Sequence, residues 1–232
     1  MVDALGLIDG LTASGILLSA TIFALLSLYK AIKLKAKLLI VAAFTMFFIG
    51  AFWSGPTLDF ILVYFFETNI TPIEFYAILS YLWVAPALIF SMYLGGSLLV
   101  PKKKWILVGV FIILGIVFEY FLWFHTSESF VITLGVPGQE LIDSSFNRQS
   151  PTFILIALFL VSVLVFLSIG FLIKAKQATG ELRKKFLYLS LGFFIFVVVG
   201  ALDSLVAPGP ILGVIRGVMM TFALWMYLGF KT

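Results

Sequence analysis

A chain of 232 residues that is 62% apolar and only 11% charged, with 26 phenylalanines, is too apolar to stay in water as a folded domain, where about 25% charge is usual. The absence of cysteine and the single histidine, His125, exclude disulfides, thiolate chemistry and His-rich or Cys-ligated metal sites, so no metal and no cofactor is implied. The net charge of +4 sits in short clusters beside apolar runs, which fits contact with a lipid bilayer and its anionic headgroups and implies no nucleic acid.

The first apolar run predicts a helix over about 11–29. Asp3 and Asp9 stand where a signal peptide would be basic, and Tyr29-Lys30 offers no small-residue cleavage site, so the run is read as a mature helix. After Lys30, Lys33, Lys35 and Lys37, a second helix is predicted over 38–54. Ser54-Gly55-Pro56 is expected to break or kink it, because proline removes a donor and crowds the preceding turn. Residues 57–66, with Asp59 inside, are read as an interfacial or re-entrant turn; the alternative is one helix that continues to Phe66 with a kink at Pro56.

Thr71-Pro72-Ile73-Glu74 reads as a helix start, with Thr71 as cap and Glu74 completing a capping box. It sits on Asn69-Ile70-Thr71, a glycosylation pattern for which capping is the better explanation. The third helix spans 72–100 and is expected to bend at Pro86; the fourth, after Lys102, Lys103 and Lys104, covers 105–124. Residues 125–150 form the longest polar loop, in which Phe130–Thr133 and Leu141-Ile142 suit a small hairpin or lid. Ser150-Pro151 opens the fifth helix, 151–173, and the sixth and seventh follow over 182–206 and 211–229, joined by Ala207-Pro208-Gly209-Pro210.

The fold class expected is therefore all-α: a single domain over 1–232, a polytopic bundle of seven transmembrane helices. Charge sets its orientation. With the amino terminus outside, the cytoplasmic segments hold all of the 15 basic residues except Arg148 and Arg216, and of the 11 acids only Glu181. The carboxyl terminus is then cytoplasmic, and the location is the cell membrane.

Three ionisable residues fall within predicted spans: Glu119, Asp203 and Arg216. At about 1.5 Å per residue they lie roughly 8, 6 and 9 Å below the outer ends of their helices. An unpaired charge in lipid costs a few kcal/mol, so an Asp203–Arg216 ion pair is expected, shared with Glu119. Gly213 and Gly217 flank Arg216 at the spacing of a small-residue packing motif. Tyr64, Tyr120 and Trp123 stand at the same level, as an interfacial belt or as the wall of a pocket under the 125–150 loop.

Some activities drop out. Helix seven has no lysine for a retinal Schiff base, and no span holds a histidine to activate a serine, so no enzyme is expected. Phe75-Tyr76-Ala77-Ile78-Leu79-Ser80-Tyr81-Leu82-Trp83 with Pro86, and Gly180-Glu181-Leu182-Arg183-Lys184-Lys185-Phe186, resemble the seven-helix sensory module of some prokaryotic histidine kinases and related archaeal membrane proteins. That resemblance implies sensing and, with no output domain expected after helix seven, signalling through a separate partner protein. The expected function is a receptor-like sensor that binds an outer-side ligand near Glu119, Asp203 and Arg216. The alternatives are a small transporter or channel using the intramembrane carboxylates, or a structural subunit of a membrane complex; a homo-oligomer fits any of them.

Overall fold

The computed structural model describes residues 4–206 and 209–231. Among these, seven helices are long and apolar enough to cross a membrane: α1 (Ala4–Lys33), α2 (Lys37–Phe66), α3 (Glu74–Leu99), α4 (Lys104–Phe124), α5 (Pro151–Gln177), α6 (Gly180–Asp203) and α7 (Pro210–Phe230). Each packs on its neighbour in sequence, α7 closes the ring against α1, and α3 also reaches α5 through the interior. The ends of the bundle differ chemically. One carries the lysine clusters; the other carries the 125–150 loop and is called here the hairpin end.

Small residues allow the close contacts that hold apolar helices together in lipid, where hydrophobic burial gives little drive. The stripe that α1 buries against α2 and α7 includes Gly10, Ala13, Ala20, Ala24 and Ala31, spaced mostly by three, four or seven residues. Larger side chains fill the interior: Phe118, Phe171, Phe193 and Phe222 are all fully buried.

The second span does not end at Ser54. α2 runs on to Phe66, so the re-entrant reading of 57–66 is overturned and the kinked helix stands. A 3-10 turn at Ala51–Trp53 tightens the chain just before Pro56, which removes the carbonyl clash that would have broken a regular helix. The kink is also tied down: Ser54 Oγ donates to the Leu79 carbonyl (2.6 Å) and accepts from Trp83 Nε1 (3.1 Å). Gly55 permits this approach, since a Cβ there would lie 2.1 Å from Ser80 Oγ.

α3 is interrupted at Leu82-Trp83, one turn before Pro86, where the Leu82 carbonyl loses the donor that Pro86 lacks. It begins at Glu74 after Ile73 with no side-chain cap, so the capping box expected at Thr71 and Glu74 is not formed. α5 contains a π-helical stretch, Leu164–Ile169, and α7 a turn at Met220-Thr221. Four spans thus carry an irregularity.

In the loop, Phe130–Thr133 pairs antiparallel with Asp143–Phe146 as strands β1 and β2. The hairpin is there, but its second strand begins after Leu141-Ile142. Ile142 is instead buried with Ile70 and Tyr76. α1 starts earlier than the sequence suggests, and α6 stops at Asp203 instead of residue 206. Of the expected turn between α6 and α7, Ala207 and Pro208 lie outside the described residues.

Candidate functional site

Asp203 is the last residue of α6, where its negative charge meets the negative end of the helix dipole. That position needs a cation. Arg216, two turns into α7, reaches back to it: Nε donates to Asp203 Oδ1 at 2.6 Å. The arginine has a second acid on its other side. Nη1 donates to Asp9 Oδ1 at 2.5 Å and to the Asp9 carbonyl at 3.2 Å, so α1, α6 and α7 are pinned together by one guanidinium. The Arg216 side chain is 9% exposed, and those of Asp9 and Asp203 are 14% and 17% exposed.

Asp9 is the member that sequence reasoning missed. Placing the start of the first helix near residue 11 left Asp9 in the solvent. With α1 beginning at Ala4, Asp9 lies about 8 Å along the helix, at the level of Arg216. Gly213 contributes to this close packing, since a Cβ there would meet Ile8 of α1, whereas a Cβ on Gly217 would meet open space. Only the first glycine of the expected motif sits in a contact.

Glu119 does not join the triad. Its Oε2 accepts from Trp123 Nε1 at 3.2 Å, and its buried Oε1 has no partner among the described residues. Equal depth does not place two residues on the same side of a bundle: α4 packs on α3 and α5, across from the junction of α6 and α7. Tyr64, Tyr120 and Trp123 are each more than half exposed on the outside of the bundle. None of the three lines the cavity described next.

A cavity of about 490 Å³ opens beside the triad at the hairpin end. Both proline bends shape it. Trp53 and Pro56 come from the α2 kink, Tyr76, Ser80 and Tyr81 from the stretch of α3 before its break. Phe153 and Ala157 of α5 and Gly200 and Asp203 of α6 form the opposite wall, with Arg216 at the back. Phe52, Val84, Leu160 and Phe196 separate it from a second, smaller void of about 20 Å³ with an almost wholly apolar lining.

The roof is β2, from Asp143 to Phe146, with Arg148 just after it. Tyr81 clamps this roof to α3: its ring stacks on Phe130 (4.8 Å, 7°) and packs against Phe146 (4.6 Å). Loss of water pushes the Asp143 carboxyl above its ordinary range, and the nearby Arg216 partly offsets this.

The loop is anchored a second time, by Asp59. This fully buried carboxylate accepts from the backbone of Ile70 (3.0 Å) and Ile142 (2.8 Å) and from Asn69 Nδ2 (3.2 Å). Asn69 in turn donates to the Glu140 carbonyl and accepts from Gly138 N–H, where φ of +75° suits glycine. The Asn69 amide is therefore occupied in the interior. A buried carboxylate satisfied by backbone donors is the arrangement that makes its burial tolerable.

No protein-family model, no curated protein and no solved structure matches this chain.

Proposed function

We propose that the protein is a receptor-like sensor of the cell membrane, with its amino terminus and hairpin end outside and its carboxyl terminus and lysine-rich end in the cytoplasm. One observation carries the reading: a roofed cavity of ligand size, closed below by aromatic and aliphatic side chains. Its lining combines an apolar floor with a few polar groups near the mouth, the usual constitution of a small-molecule site. A transporter needs a polar path onward, and the floor of Phe52, Val84, Leu160 and Phe196 opposes one.

The moving parts lie against the cavity. A ligand touching Trp53, Tyr81 and Arg216 contacts the α2 kink, the α3 break and the α6–α7 pair at once. A shift in those bends would be transmitted along rigid helix to the lysine-rich end, where a separate protein partner would read it. The orientation rests on the excess of lysine and arginine at that end.

Gly200 offers the test. A Cβ there would meet Met219 at 3.6 Å, an ordinary contact, so a side chain at this position can enter the cavity without a clash at its root. Gly200→Leu is expected to fold and to abolish the thermal stabilisation that amphipathic fragments confer on the wild-type protein in lipid nanodiscs. Equal stabilisation of both proteins would show that binding is elsewhere.

A further inference from the structure

We propose that the ligand of this cavity is an amphipathic monocation: an amine or quaternary ammonium group on an aromatic or branched apolar body. This rests on reading the cavity as a ligand site and adds the charge of its occupant.

The argument is a charge count by position. Arg216 is the deep cation, and its contacts with Asp9 and Asp203 at 2.5 and 2.6 Å leave it with more negative than positive charge around it. Asp9 and Asp203 share the one guanidinium, so the triad carries one negative charge in excess, and Asp203 is the acid of the pair that lines the cavity. Asp143 in the roof faces the same space and adds a second negative charge. Arg148 and Asp143 are both exposed at the rim, where solvent and salt screen them alike, so the deciding charge is the excess negative charge of the triad below. An anion placed here would approach Asp203 and Asp143 with no uncommitted deep cation to receive it. A cation would meet two carboxylates.

The aromatic lining adds to this. Trp53, Tyr81, Phe146 and Phe196 come from four different elements and enclose one space. Aromatic faces attract cations by their quadrupole, most strongly where water is excluded. They also accept an apolar body, so one molecule can satisfy both features: its charged head near Asp203 and Asp143, its body over the floor. A bound cation would act on Asp143 as Arg216 already does, favouring the ionised carboxylate by Coulomb attraction.

The test uses three probes that differ only in their polar group: phenylbutylamine, phenylbutanol and phenylbutyrate. Each is titrated into the full chain in nanodiscs of zwitterionic lipid, with empty nanodiscs as background, and binding is read by calorimetry. The amine is expected to bind roughly tenfold more tightly than the alcohol, and the acid most weakly. Asp143→Asn, in the exposed roof, is expected to fold normally and to weaken the amine several-fold while leaving the alcohol unchanged. Equal binding of amine and alcohol, or tighter binding of the acid, with either lost in Gly200→Leu, would overturn the cation and leave the ligand site standing. Binding of all three that Gly200→Leu does not reduce would overturn both readings.

Discussion

Replacing Arg216 by methionine tests the triad most severely. The substitution keeps much of the side-chain length and deletes three hydrogen bonds: those from Nε to Asp203 and from Nη1 to the Asp9 carboxylate and carbonyl. It also leaves two carboxylates facing each other, one of them at the negative end of α6. Removing one partner of a buried pair costs about 3–5 kcal/mol, much of it the penalty of the charges left behind. For a chain of this size each kcal/mol moves the melting temperature by about 2–4 °C, so Arg216→Met should melt roughly 6–20 °C lower. The five tryptophans allow unfolding in detergent to be followed by intrinsic fluorescence. If stranded charge is the cause, adding Asp9→Asn and Asp203→Asn to Arg216→Met should restore most of the loss. A single variant that melts like wild type would refute the pairing, and a triple variant no better than the single would refute the charge argument.

Asp59→Ala should release the loop. It strands the backbone donors of Ile70 and Ile142, at about 1–3 kcal/mol each, and amide exchange at both should quicken; unchanged protection would count against the latch. Asp143 carries a pH prediction. Its carboxyl is raised from 3.8, so the folded chain holds that proton more tightly than the unfolded chain does. The ionised group therefore costs stability at neutral pH, and this cost disappears as pH falls through the folded value towards 3.8. Asp143→Asn should be the more stable protein at neutral pH, with the difference closing on acidification; parallel profiles would contradict this. Gly200→Ala, in a helix interior with room for a methyl group, should raise stability by about 0.5–1 kcal/mol.

The seven spans were legible because apolar runs of membrane length, ended by lysine clusters or Pro and Gly, have few other readings. Local rules failed where tertiary contacts decided. Pro56 looks like a helix end until the 3-10 turn before it and the Ser54 bridge to α3 are seen. The Arg216–Asp203 contact could be inferred because consecutive antiparallel helices bring equal depths together. Glu119 could not be placed by the same logic, since depth says nothing of the side of the bundle a residue faces. Asp9 was hidden by an error of a few residues in where α1 begins. Asp59 was visible only as an acid in an apolar stretch; its partners lie 10 to 83 residues away, and no local pattern links them. The cavity aromatics resemble every other aromatic in a chain that is 17% Phe, Trp and Tyr.

The natural absence of cysteine makes the central claim directly measurable. Gly200→Cys places a thiol in the cavity, and Lys176→Cys places one at the exposed lysine-rich end. A membrane-impermeant, cationic methanethiosulfonate applied to intact cells should label Gly200→Cys, and phenylbutylamine should protect it. Lys176→Cys should react only after the cells are permeabilised. A cavity thiol that stays inert, or that reacts only from the cytoplasmic side, would contradict an outward-open ligand site.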